Sequence, residues 1–200
     1  MTTAPSSRRI GSQDSKTRAQ LLDAAERLML EEGYASVTSR RLAAKAGLKP
    51  QLVHYYFRTM DDLFLEVFRR RADANLARFE RAIAEDGSLR NVWRLNADPR
   101  GAAFTIELAA LANHRKAIRA EVARYAERFR AAQVAAVSAA LADHDIAEDQ
   151  LPPIVAVLTM TGLTQVLALE GALGVTTGHD TTREFVERTI ARLERPPEPP

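Results

Sequence analysis

Cysteine is absent from this 200-residue chain. Its absence excludes a disulfide framework, a thiolate zinc site, an iron–sulfur cluster and a thiol nucleophile, and it fits a reducing compartment. Strand signals are absent as well. No alternating run of Val, Ile, Thr and aromatic residues is bounded by hairpin turns. The residues from Met1 to Gly11 hold no apolar run, so no secretory signal is expected. A Gly-rich phosphate loop and a nucleophile elbow are both missing, and the four histidines (His54, His114, His144, His179) show no metal-ligand spacing. Asp143-His144-Asp145 reads as a polar loop between helices rather than a metal site. No catalytic residues, no metal and no cofactor are therefore expected. Long hydrophobic runs are scarce too. The twenty residues from Gln150 to Leu169 carry no charge and match the length of a bilayer span, but only twelve are aliphatic. Two prolines, three threonines, a glycine and Gln165 interrupt them, so a buried helix of a soluble, cytoplasmic protein is expected and no membrane partner.

What is present is helical periodicity throughout. With 46% hydrophobic and 27% charged residues the chain can bury a sizeable core in one or two domains. A polar tail, expected to be disordered, covers 1–14. A first helix over Ser15–Glu32 has the stripe Leu21, Ala25, Leu28 and Met29, and Gly33 stops it. Two short helices follow. Thr38 can cap one that ends at Gly47, and Pro50 opens another that runs to Phe57. Further helices are expected over Asp61–Glu85, from Ser88 through Trp93 (a short one), from Asp98-Pro99, over an Ala-rich stretch, over Pro152–Glu170, and from a capping box of Thr181 with Glu184. A Pro-rich tail, 196–200, closes the chain. The fold class is all-α with about nine helices: a three-helix helix-turn-helix domain over 15–60, then a larger helical domain over 61–195.

Charge separates these parts. Up to Met60 there are ten Lys/Arg against five Asp/Glu, and beyond it eighteen against twenty-one, which sums to the net +2. The difference alone decides nothing, because Arg outnumbers Lys 24 to 4 and a composition bias would produce the same excess. The local pattern says more. No acidic side chain lies between Val37 and Met60 in a chain with 26 carboxylates. Phosphate repulsion would exclude acids from a surface that meets a nucleic acid, whereas a merely solvated face mixes both signs. Leu42, Leu48, Val53 and Phe57 would form a small core against Leu21, Leu28 and Met29. Thr38, Ser39, Arg40, Lys49, Gln51, His54, Tyr55 and Tyr56 would stay outside, on two short helices joined at Gly47-Leu48 as in a helix-turn-helix.

The run VTSRRLAAKAGLKPQLVHYYFRTMDDL, about a seventh of the chain, resembles the helix-turn-helix signature of the tetracycline-repressor (TetR) family of bacterial transcription regulators. The matching features are Thr38, Arg40, Leu42, Ala43, Ala46-Gly47-Leu48, the aromatic cluster His54-Tyr55-Tyr56-Phe57, and Asp62-Leu63. The resemblance implies that Thr38, His54 and Tyr56 contact phosphates and that Arg40, Gln51 and Tyr55 read base edges. Ser39 joins them, and Pro50 and Leu52 would touch thymine methyls. Lys49 stands where the family has a capping Ser or Thr, and a phosphate would supply the anion that a cation at a helix start needs. Met60 replaces a Lys that commonly meets the backbone, a contact Arg58 would substitute. Arg8 and Arg9 would either follow the minor groove or belong to the disordered tail.

The resemblance further implies a homodimer on a palindromic double-stranded DNA operator and an unknown small-molecule effector, with repression relieved on effector binding. The Pro152–Glu170 helix is apolar nearly all round and must be buried on more than one side. A dimer interface is expected at Val155, Leu158, Thr159 and Val166 with Phe185, Val186, Thr189, Ile190 and Leu193. An effector cavity is expected at Trp93, Phe104, Glu107, Leu108, Leu111, Met160 and Gln165. Glu107, alone on an apolar face, would meet a ligand donor or an Arg of the Ala-rich helix. A helical ligand-binding protein or enzyme whose reader has lost DNA affinity is the competing reading, and Met60 is its motive.

Overall fold

In the computed structural model, the described residues are 8–195, with side chains described over 16–98, at 101 and over 104–195. Residues 1–7 of the N-terminal tail, the side chains of Arg8 and Arg9, and the Pro-rich tail over 196–200 therefore lie outside the described residues. Among the described residues nine α-helices and one short 3-10 turn account for the regular structure: α1 Arg8–Glu32, the turn Tyr34–Ser36, α2 Ser39–Ala46, α3 Pro50–Tyr56, α4 Met60–Glu85, α5 Leu89–Asn96, α6 Pro99–His114, α7 Lys116–Ala142, α8 Pro153–Ala172 and α9 His179–Leu193. The all-α reading stands.

Packing divides the chain into two groups. The first holds the described residues up to Arg71 together with Glu107–Glu121, and the second holds Ala72–Ile106 with the residues from Val122 onward. In the first group the stripe of α1 (Leu21, Leu22, Ala24, Ala25, Leu28, Met29) is buried, as are Leu42 and Ala43 of α2, Val53 of α3 and Phe57. Helix α1 packs on α2, and α2 on α3. Each fully buried Leu or Val contributes on the order of 1.5–3 kcal/mol, so this small core holds two helices of only eight and seven residues that would not persist alone. Gly47 sits at φ 68° and ψ 31° with its N–H on the carbonyls of Ala43 and Ala44. That left-handed angle is what the joint requires and glycine adopts it without penalty.

Helix α1 begins at Arg8 rather than Ser15, so seven residues of the expected tail are helical. Once the buried stripe has nucleated a helix, each added residue contributes a hydrogen bond at small cost, and no proline intervenes after Pro5. The extension is a propagation effect that periodicity cannot report.

The core of the second group draws Phe79 from α4, Leu89, Val92 and Trp93 from α5, Ala136, Val137, Ala140 and Leu141 from α7, Ala156, Val157 and Met160 from α8, and Val186 and Ile190 from α9. Ser88 caps α5 by accepting the Asn91 N–H at 3.1 Å. Asp145, at φ 55°, turns the chain after α7, an angle that Asp and Asn tolerate better than most residues. The Asp143–Asp145 tripeptide thus builds a turn.

Two expectations about this group need correction. The Thr181–Glu184 box does not open α9, which starts two residues earlier behind Gly178 at φ 80°. The buried His179 ring meets Glu170 Oε2 at 2.8 Å, and that pairing fixes the start. Helix α8 is apolar on all sides yet buried on one. Pro153, Ala156, Val157, Met160 and Thr164 face the core at helical spacing, while Ile154, Val155, Leu158, Val166 and Leu169 are exposed. By length and composition α8 could also cross a membrane; its inward row is instead part of this core.

Candidate nucleic-acid interface

Thr38 lies in extended backbone ahead of α2, and its Oγ1 accepts the Arg41 N–H at 3.3 Å. With that lone pair engaged, its hydroxyl proton remains available to an acceptor outside the protein. The cations of α2 then sort by direction. Arg41 pairs with Glu32 and Lys45 with Glu31, both at the end of α1. They stand at i and i+4 on one side of the helix. Arg40 projects away from that side, is exposed and engages no acidic side chain among the described residues.

Helix α3 begins with Pro50 at its first position, and Lys49 precedes it with no side-chain cap. Val53 and Phe57, four residues apart, point inward. The rows left outside are Pro50 with His54 and Gln51 with Tyr55, each pair also at i and i+4, and all four are exposed. Tyr55 is 70% exposed, too much for a core aromatic. Its ring meets the half-buried Tyr56 edge to face at 4.9 Å, which limits the rotamers of both. Leu52 and Ser39 are half-buried, and Lys49 and Arg58 are exposed. All eleven side chains expected to meet DNA therefore retain exposed surface, on two short helices joined by one tight turn.

Beyond this surface the nearest acids are occupied. Asp62 Oδ2 accepts the Thr59 N–H at 3.0 Å while Thr59 Oγ1 accepts the Asp62 N–H at 3.1 Å, a reciprocal cap for α4. Asp61 pairs with Arg115. The Thr59-x-x-Asp62 spacing carried the first of these in the sequence; the second has no local signal, being a pairing across more than fifty positions. Ion pairs also tie α1 to α4: Arg70 meets Asp23 at 2.7 Å and Glu26 at 3.3 Å, and Arg71 meets Glu26 as well. Met60 begins α4, half-buried, and its thioether offers no charge to a phosphate. Arg58 is the exposed cation beside it.

Residues 21–67 match the family model described as bacterial regulatory proteins, tetR family. The segment belongs to the tetR family. This tetR-family domain runs from Leu21, inside α1, to the first turns of α4, and with it the chain is a DNA-binding transcription regulator. Solved structures share the fold over most of the chain. A TetR-family transcriptional regulator from Rhodococcus sp. superposes with a TM-score of 0.68 at 23% identity, over 90% of this chain and 100% of its own. A regulator from Saccharomonospora viridis in complex with choline gives 0.69 at 19%, over 88% and 96%. A candidate regulator from Streptomyces coelicolor A3(2) gives 0.58 at 25%, over 90% and 98%. Among curated proteins no sequence match was found.

Outside the tetR-family domain the expected sites scatter. Trp93 and Met160 share the core of the second group, and Phe104 is buried without belonging to that cluster. Glu107, Leu108 and Leu111 fall instead in the first group, with both leucines buried. Gln165 is exposed on α8 and lines no interior. Glu107 meets no Arg of α7 among the described residues; its Oε2 accepts the Tyr34 N–H at 2.9 Å. Of the expected dimer residues Val155, Leu158, Thr159, Val166 and Phe185 are exposed, and Thr189 and Leu193 are half-buried. Val186 and Ile190 are a correction, since both fill the core of their own chain. Periodicity showed a broad apolar face on α9 and could not show how much of it the chain itself covers.

Proposed function

We propose that this tetR-family protein is a homodimeric, cytoplasmic repressor that reads a palindromic operator with α2 and α3 and releases it when a small molecule binds its helical body. The observation that carries the DNA reading is the surface of Arg40, Lys49, Gln51, His54, Tyr55 and Arg58. It is exposed, free of carboxylates, and backed by a core that leaves those groups nowhere else to point. Arg40 suits guanine O6/N7 and Gln51 suits adenine N6/N7, while Thr38, Ser39, Lys49, His54, Tyr56 and Arg58 suit phosphates, and Pro50 and Leu52 suit thymine methyls. The exposed row on α8 with Phe185, 61% exposed, supports pairing with a second copy. A twofold pair of readers matches a twofold operator. The choline held by one structural relative supports a small-molecule effector, for which the interior around Trp93 and Met160 is our candidate.

A gel shift with DNA from upstream of the protein's own gene tests this. One sharp complex is expected, weakening steeply with salt as phosphate contacts release counterions. Arg40→Ala should cost about 1–3 kcal/mol of discrimination at one base pair. Equal, weak binding to every duplex would overturn the reading. It would favour the second one, a helical ligand-binding protein whose reader no longer holds DNA, which Met60 at the start of α4 supports.

A further inference from the structure

Helix α6 carries a single carboxylate, Glu107, on an otherwise largely apolar sequence. No cation pairs with it among the described residues; its Oε2 accepts the backbone N–H of Tyr34, 73 positions away, at 2.9 Å. Tyr34 opens the 3-10 turn between α1 and α2. Within that turn the later amides have local partners: Ser36 N–H reaches Gly33 O at 3.2 Å, Val37 N–H reaches Tyr34 O at 3.1 Å and Thr38 N–H reaches Ser36 O at 3.0 Å. The leading amide of such a turn has no carbonyl behind it, and Glu107 supplies the acceptor. The carboxylate also lies against Gly33, whose φ of 80° reverses the chain; a Cβ there would stand 3.5 Å from Oε2. Three residues beyond the turn's first, Val37 is buried, and Thr38 then caps α2.

The segment that carries Glu107 is itself anchored inside the same packed group. Arg115 pairs with Asp61 and lies 5.5 Å over the Phe64 ring. Glu121 accepts from Arg69 Nε and Nη2, at 2.9 and 3.3 Å. Arg119 donates to the last carbonyls of α6, Ala112 and Asn113, at 3.3 and 3.1 Å. A carboxylate on so well-held a segment is a fixed point for a turn that has only local bonds of its own.

We infer that Glu107 is a positioning residue for DNA binding: from α6 it holds the Gly33–Ser36 turn in the conformation that sets Thr38 and α2 for the groove. The inference rests on the DNA reading above and names a residue outside the tetR-family domain that the reader needs.

The test compares the full-length protein with Glu107→Ala and Glu107→Gln, reading amide exchange at Tyr34 and affinity for the operator. Glu107→Ala should speed Tyr34 exchange and weaken operator binding, each on the order of tenfold, the scale of one hydrogen bond to a charged acceptor. Glu107→Gln should restore both, because its amide oxygen accepts the same N–H. Should Glu107→Ala not fold, Glu107→Leu keeps the packing, lacks an acceptor and takes its place. Unchanged Tyr34 exchange, unchanged affinity despite faster exchange, or a Gln variant as weak as Ala overturns the inference. If the parent protein binds no operator, the DNA reading itself fails; a Tyr34 amide that still responds to Glu107→Ala identifies that as the failed step.

Discussion

Five cations on and around α2 and α3 are alike in charge and unlike in use. Arg41 and Lys45 are drawn to Glu32 and Glu31 and fasten α2 to α1, whereas Arg40, Lys49 and Arg58 are exposed with no acidic partner among the described residues. Sequence spacing separates Arg40 from Arg41 by a hundred degrees around a helix, but which direction meets α1 depends on where α1 lies. Lys49 belongs with the unpaired set, and its expected task is a phosphate rather than a base. Lys49→Ala should therefore weaken binding by a similar factor on operator and on unrelated DNA. It should also flatten the dependence of log affinity on log salt by about 0.9 per subunit. Anisotropy titrations at several salt concentrations check this, and a loss confined to the operator sequence would move Lys49 to the base-reading group with Arg40.

At the scale of elements, the capping signals at Thr38, Ser88 and Thr181 met different fates. Thr38 and Ser88 cap α2 and α5 as their positions suggest. Thr181 and Glu184 have the right spacing and form no cap, because the His179–Glu170 pair starts α9 two residues sooner. A capping box contributes about 1 kcal/mol, little enough for burial of the His179 ring and its bond to the partly exposed Glu170 carboxylate to outweigh. Thr38→Ala should thus remove about 1 kcal/mol from the reader, seen as a fall of about 2–4 °C in thermal midpoint, and operator affinity should fall with it because α2 frays at the end that faces DNA. A stability loss without any loss of affinity would mean that this end of α2 does not touch DNA. The same scale explains why α1 runs seven residues further than expected: helix ends are decided by propagation and neighbours, not by the apolar stripe that identifies the helix.

For the whole molecule, the decisive feature is what one chain leaves uncovered. Helix α8 exposes Ile154, Val155, Leu158, Val166 and Leu169, and α9 exposes Phe185. So much apolar surface on two elements is more than scattered exposure accounts for, and a second copy would bury it. Phe185→Glu places a charge at that surface without touching the core residues Val186 and Ile190. The expected outcome is a monomer by light scattering at micromolar concentration, helical content unchanged, and operator affinity lower by tenfold or more because the two readers no longer act together. A variant that stays dimeric with full affinity would place the interface elsewhere. By itself the sequence determined the all-helical class, the acid-free reader with its Gly47 joint, and the family of that domain. These are written in local periodicity, in left-handed backbone demands and in charge, all of which act between near neighbours. Only the tertiary structure decided that Val186 and Ile190 are core while Phe185 is surface, that Arg41 is spent on Glu32 while Arg40 is not, and that the lone carboxylate of α6 holds the turn before α2. Each of these depends on which distant segment lies opposite a side chain, and spacing along one helix carries no record of that.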